Sequence, residues 1–149
     1  MVKNLIKPFR TMLIAAGCIM INFIGKLLAD YLQLPLWLDS FGTVFAAYVL
    51  GPICGAVVGA AGNIIYSFWN PNAYIYAITS IFIGLCMGHA ARRKHFENFF
   101  EATSVAGGIT IVSVVISTII NICLYGGSTG NVWGDGVKDF LIEKDISPL

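Results

Sequence analysis

The sequence predicts an all-α membrane protein, a polytopic bundle of about five transmembrane helices, and three observations indicate this fold class. Of the 149 residues, 57% are hydrophobic and 11% are charged, whereas an average soluble domain has about 25% charged residues. The charged residues cluster around positions 3–10, 92–101 and 138–145, with long apolar stretches between them. Three of these stretches reach the roughly 20 residues that a helix needs to cross a bilayer. A net charge of +1 gives no indication of a nucleic-acid partner.

The first apolar stretch, residues 10–31, follows Lys3, Lys7 and Arg10. A basic start before an apolar run is also typical of a secretory signal peptide. This run is long, lacks a clear cleavage site of small residues and precedes several further apolar stretches. We therefore interpret it as the first transmembrane helix.

The second apolar stretch, residues 36–69, is too long for one span and contains Gly51-Pro52. Because proline disfavours a helical residue before it, the stretch is either one kinked helix or two short ones. A single span would place the two basic clusters on opposite sides of the membrane, against the excess of Lys and Arg in cytoplasmic loops. Two short or partly re-entrant helices place both clusters on one side, and they are the prediction.

Residues 73–91 and 103–125 are the last two of the five predicted spans. The resulting topology is multi-pass in the cell membrane, with the N-terminus in the cytoplasm. The inner segments are then residues 51–52 and 92–101, and the outer segments are residues 30–39, 70–72 and 126 onward.

The C-terminal segment, residues 126–149, is predicted to be an outer loop and the start of a further element of the same transmembrane domain, residues 1–149. Gly126, Gly127 and Gly130 indicate a flexible connection, and residues 137–142 fit an amphipathic helix. The final Ser-Pro-Leu is similar to the entry of another apolar helix. We expect a sixth transmembrane helix beyond this chain.

Small residues recur at a spacing of four along two of the predicted helices, at Gly51, Gly55 and Gly59 and at Gly84 and Gly88. Such stripes let helix backbones approach closely in lipid. Packing within the chain is the favoured interpretation, and a docking face for another membrane subunit is the alternative.

Five polar residues are predicted at membrane depth, where an unpaired polar group is costly: Asn22, Lys26, Asp30, Asn63 and Asn121. Lys26 and Asp30 are four residues apart, so they can pair with each other or reach the outer interface. For Asn63 and Asn121, a hydrogen bond between helices and a contact to a ligand are equally open.

The predicted outer surface is rich in aromatic rings interleaved with amides and carboxylates. Many of these rings fit an interfacial belt, but the mixture also suits a pocket that stacks a small heterocycle and hydrogen-bonds its edges. The predicted substrate-binding residues are Asn63, Tyr66, Trp69, Asn72, Asn121, Tyr125, Asn131, Trp133 and Asp135.

Signals of catalysis or metal binding are missing from the sequence. The glycine-rich residues 126–130 lack the Lys-Ser or Lys-Thr of a phosphate loop, and His89 and His95 do not share a helical face. The four cysteines lie in separate apolar stretches without a CxxC spacing. We therefore expect no enzyme activity, no cofactor and no metal.

The residues around the Gly-Pro break resemble a known family. Residues 36–44 (LWLDSFGTV), 50–59 (LGPICGAVVG) and 63–65 (NII) look like the corresponding region of the substrate-binding S components of energy-coupling factor (ECF) transporters. Residues 130–135 (GNVWGD) are similar to the stretch before the last helix of that family.

This resemblance implies a six-helix protein of the bacterial cell membrane that captures a vitamin or related micronutrient from outside. Its expected partners are a transmembrane coupling subunit and two cytoplasmic ATPases. An alternative is a membrane sensor module with the same fold, joined to a signalling kinase or phosphatase. A purely structural membrane subunit, which would bind no small molecule, is a third interpretation.

Overall fold

The computed structural model describes residues 2–34, 38–127 and 132–143, and all regular structure in these ranges is helical. The all-α prediction is confirmed. The described α-helices are α1 Val2–Tyr31, α2 Phe41–Leu50, α3 Pro52–Tyr66, α4 Ala77–Arg92, α5 Phe99–Tyr125 and α6 Val132–Glu143. Two 3-10 helices, Leu38–Ser40 and Pro71–Tyr76, lead into α2 and α4.

Among the described residues, three helical segments are long and apolar enough to cross a membrane: Pro8–Tyr31, Pro71–Arg92 and Phe99–Tyr125. Two shorter apolar helical segments, Leu38–Leu50 and Pro52–Tyr66, lie between the first and the second. The fold is therefore compatible with a multi-pass membrane protein.

The chain breaks at Gly51 between α2 and α3, as the Gly-Pro pair predicts. Gly51 has a φ of 100°, a conformation that L side chains rarely adopt. Pro52 then occupies the start of α3, where its missing N–H is not needed and its fixed φ suits the helix. Two helices, rather than one kinked helix, are confirmed.

The glycine stripes of α3 and α4 hold these two helices together. A Cβ atom at Gly84 would collide with the backbone of Gly55 and Ala56, and one at Gly88 would collide with Pro52. At Gly59, a Cβ would lie 2.9 Å from Ser80 Cβ. Packing within the chain, the favoured interpretation, therefore accounts for these stripes.

The fifth helix is the exception to this close packing. α5 lies against α4 and the 3-10 helix Pro71–Tyr76, and only 11% of its apolar window is buried. Its buried residues are Ser113 and Ser117, so the helix turns a narrow polar stripe towards the bundle.

The bundle has two chemically different ends. At the polar end, where α1, α3 and α5 finish, side chains of Asp30 and Tyr66 meet, and Tyr125 reaches Asn72. Gly51 lies beside the Arg92 side chain at the opposite, basic end. After α5, Gly126 adopts the left-handed conformation, and α6 covers a longer segment than the predicted 137–142.

Candidate functional site

Asn22 of α1 caps the start of α2 from a neighbouring helix. Its Oδ1 accepts the backbone N–H groups of Gly42, at 2.7 Å, and Thr43, at 3.3 Å. Its Nδ2 donates to Thr43 Oγ1 at 2.9 Å. Ser40, which immediately precedes α2, makes no side-chain cap. The Asn22 amide therefore supplies an acceptor to N–H groups that every helix start leaves without an intrahelical partner.

Lys26 is the centre of a second polar network that joins four helical elements. Its Nζ donates to Asp39 Oδ2 at 3.2 Å and to Asn63 Oδ1 at 2.8 Å, and it lies 5.0 Å from the centre of the Tyr66 ring. The Lys26 and Asp39 side chains are 19% and 15% exposed. The ammonium is thus held by a carboxylate, an amide and an aromatic face.

Both hydrogen-bonding atoms of the Asn63 amide have partners within the protein. While its Oδ1 accepts from Lys26, its Nδ2 donates to Ser80 Oγ at 2.7 Å and to Gly59 O at 3.1 Å. Of the two open interpretations, the hydrogen bond between helices is the one present. Asn63 connects α1, α3 and α4 in the interior, where its exposure is 3%.

Asp30 does not pair with Lys26, although the two are four residues apart on α1. Its Oδ2 accepts from the Tyr66 hydroxyl, while Lys26 turns to Asp39. Phe23 packs edge-on against Tyr66 and Trp69, with ring centres 6.0 and 5.3 Å apart. Of the two alternatives for this pair, the intrahelical ion pair is not the one present, because side chains of α3 and of the segment before α2 face this side of α1.

A cavity of about 380 Å³ lies between α2, α4 and α5, within the range of about 300–1,000 Å³ for small-molecule sites. Its apolar wall is formed by Val44, Ile83, Met87, Ala106, Ile109 and Val114. Its polar wall contains hydroxyls from α4 and α5, namely Thr79, Ser80, Thr110, Ser113 and Ser117. Asp39, Ser40 and Tyr76 complete the lining at the polar end.

Most of these hydroxyls have protein partners. Thr110 donates to Ala106 O at 2.8 Å, Thr79 and Ser117 lie 3.4 Å apart, and Ser80 accepts from Asn63. Ser113 differs: it is 8% exposed, and its Oγ has no hydrogen-bond partner within the described part of the chain. A buried polar atom without a partner is costly, and the residue that carries this one is among those that line the cavity.

Six of the predicted site residues lie at or near the polar end of α1, α3 and α5, but none lines this cavity among its described residues. Asn121 Oδ1 accepts from the Tyr76 hydroxyl, and Tyr125 donates to Asn72 O at 3.4 Å. Tyr66 is buried and Trp69 is 67% exposed. Two predicted residues, Asn63 and Asn121, thus reach the lining through Ser80 and Tyr76.

The remaining predicted residues belong to the C-terminal segment. Asp135 lies in the first turn of α6. Asn131 and the side chain of Trp133 lie outside the described residues, so their role as ligand contacts stays a prediction.

The row of hydroxyl side chains on α5 was not among the site residues predicted from the sequence. Thr110, Ser113 and Ser117 are separated by three and four residues, which places them on one helical face. A search for hydroxyls at helical spacing inside an apolar span would have found them. Within the described residues, no cluster of three or more His, Cys, Asp or Glu could hold a metal.

No protein-family model, curated protein or solved structure matches this chain. The likeness to S components of ECF transporters therefore stays a prediction from the residues around the Gly-Pro break. The cavity and its hydroxyl stripe are the structural features on which a function can be argued.

Proposed function

We propose that the chain is a membrane-embedded solute-binding protein, similar to the S components of ECF importers and not catalytic by itself. The observation that carries this proposal is the Ser113 hydroxyl, which is buried beside a ligand-sized cavity and has no partner among the residues that the structure describes. A ligand that hydrogen-bonds this hydroxyl would satisfy it, which gives a bound molecule a specific contact.

The proposed topology has five membrane crossings, with α2 and α3 as a short pair. The N-terminus and the basic end lie in the cytoplasm, because Arg92, Arg93 and Lys94 follow α4 there. The polar end, with the lining residues Asp39, Ser40 and Tyr76, then faces outwards. The captured solute is a vitamin or related micronutrient from outside the cell.

The proposed partners are a transmembrane coupling subunit and two cytoplasmic ATPases, as in ECF importers. Support comes from the short α2 and α3 pair, broken at Gly51, and from the glycine-rich α3 that packs on α4. The chain itself presents a binding cavity and leaves transport energy to the partners. Uptake should therefore require co-expression of a coupling subunit and its ATPases.

The first test is a thermal-shift screen of the full chain in detergent against water-soluble vitamins and precursors, with hits confirmed by calorimetry. A ligand at about 100 times its dissociation constant should stabilise the fold by about 2.7 kcal/mol. Flat responses from a folded protein would contradict the proposal.

A matched pair of serine variants on α5 tests whether the ligand binds in the cavity. Ser113→Ala should weaken the binding of a hit by about tenfold, which is about 1.4 kcal/mol. Ser104→Ala, whose exposed hydroxyl donates to Phe100 O, should leave the affinity unchanged. Equal affinities for the two variants would remove Ser113 from the site.

A further inference from the structure

The cavity contains one kind of charge. Asp39 is the single charged residue among its described lining residues, and lysine, arginine and histidine are missing from that lining. From this asymmetry we infer that the cavity selects an uncharged or cationic heterocycle with N–H donors and rejects anionic relatives of the same ring. The inference rests on the proposed function, since it specifies the class of solute that the cavity takes.

Lys26, the ion-pair partner of Asp39, is not among the lining residues, and its ammonium is held by protein groups. Its Nζ donates to Asp39 Oδ2 and Asn63 Oδ1 at 3.2 and 2.8 Å and lies over the Tyr66 ring. Asp39 makes its ion pair through Oδ2. Asp39, and not Lys26, is thus among the lining residues, and a carboxylate is an acceptor that favours an N–H or cationic group of the ligand.

The hydroxyls complement the carboxylate without adding charge. Ser80 accepts from Asn63, so its own proton can be donated to a ligand, and Ser113 can both donate and accept. Neutral hydroxyls pair well with ring nitrogens, carbonyls and amino groups, but they cannot neutralise a carboxylate or phosphate. Apolar side chains such as Val44 and Ile109 supply flat walls for the ring.

An anionic ligand would bring a second negative charge near Asp39, whose side chain is 15% exposed. Like charges within a few ångströms of each other repel at the effective dielectric constant of a protein. The Lys26 ammonium, 3.2 Å from Asp39, offsets part of this repulsion but is not among the lining residues. A ligand that differs from a bound one only by a carboxylate or phosphate should therefore bind at least about tenfold more weakly.

The test compares probes that share a ring and differ in charge, applied to the full chain in detergent at pH 7.5. The pairs are nicotinamide and nicotinate, riboflavin and its 5′-phosphate, pyridoxine and its 5′-phosphate, adenosine and its 5′-monophosphate, and thiamine and its monophosphate. In whichever pair binds, the uncharged or cationic member should bind at least about tenfold more tightly by calorimetry.

Two outcomes overturn the inference in distinguishable ways. If the anionic member of a pair binds as tightly as its partner or more tightly, the charge selection is wrong while the proposed solute binding stands. A flat response to every pair from a folded protein contradicts both.

Variants then test whether Asp39 causes the preference for uncharged or cationic ligands over anionic ones. Asp39→Asn leaves the Lys26 ammonium without its counter-ion, so the preference for the uncharged member should shrink about tenfold or reverse. The double variant Lys26→Met/Asp39→Asn keeps the pair neutral and should also narrow the preference, which covers the case in which the single variant fails to fold. Ser113→Ala should weaken both members of a pair about equally and leave their ratio unchanged. If the ratio of affinities between the two members of a pair is unchanged in both Asp39 variants, Asp39 does not cause the preference.

Discussion

In the region formed by α1 to α4, the buried amides of Asn22 and Asn63 form hydrogen bonds to neighbouring helices. Between α4 and α5, the buried hydroxyl of Ser113 has no partner in the described part of the chain. The first region also has glycines that bring backbones into contact, whereas the second leaves a cavity of about 380 Å³.

This difference separates polar groups that hold the fold together from a polar group that the proposed function assigns to a ligand. A saturated amide gains nothing from a solute, because each of its atoms already has a partner. An unsaturated hydroxyl in a cavity wall gains a hydrogen bond when a solute arrives. Whether the hydrogen-bonding atoms have partners, more than residue type, therefore distinguishes the two regions. Four sets of variants test this distinction.

The largest effect is expected where the glycines of α3 and α4 touch. In Gly84→Ala the new methyl group would meet the backbone of Gly55 and Ala56, so we expect a loss of about 3 kcal/mol in stability. Thermal unfolding in detergent measures it. Gly107→Ala on α5, where a Cβ meets nothing within 4 Å, should not lower the melting temperature. Equal losses in the two variants would show that close packing does not distinguish the regions.

The next largest effect concerns the Lys26 network. Lys26→Met removes the counter-charge of Asp39 and the donor to Asn63, so the variant should lose about 2 kcal/mol. Adding Asp39→Asn should recover part of that loss, because a neutral amide tolerates burial better than an unpaired carboxylate. Denaturant unfolding of the wild type, both single variants and the double variant gives the coupling energy. Strictly additive losses would contradict the pairing.

A smaller effect is expected from the cap that α1 provides to α2. In Asn22→Ala the N–H groups of Gly42 and Thr43 lose their acceptor, at an expected cost of about 1 to 2 kcal/mol. Asn98 precedes α5 without a side-chain cap, so Asn98→Ala is the matched control and should change stability little. Comparable melting temperatures for the two variants would argue against capping by Asn22.

The smallest effect is expected in the cavity wall without ligand. Ser113→Ala removes a hydroxyl that has no partner within the described part of the chain, so the unliganded stability should stay unchanged or rise by less than about 1 kcal/mol, because the variant no longer buries an unpaired group. Ser80→Ala removes the acceptor of Asn63 Nδ2 and should lose about 1 kcal/mol. If Ser113→Ala proves the more damaging variant, the Ser113 hydroxyl has a structural role and the distinction between the regions fails.

Part of the candidate site could be anticipated from residue type. Asn63 and Asn121 are polar residues in apolar stretches, and they do lie next to the cavity lining through Ser80 and Tyr76. Ser113 and Ser117 escaped attention because small hydroxyls are common in membrane helices and often bond their own backbone, as Thr110 does. Which of them lacks a partner depends on the neighbouring helix.

The sequence by itself determined the all-α class and the break at Gly51. It also placed the ends of the apolar helices at Tyr31 and Tyr125. These features depend on the length of apolar runs and on the local geometry of proline and glycine, which are readable along the chain. Only the tertiary structure decided that Lys26 pairs with Asp39 rather than Asp30 and that Ser113 faces a cavity. Helix rotation and contact distance set those partners, and residues far apart in the sequence fix both.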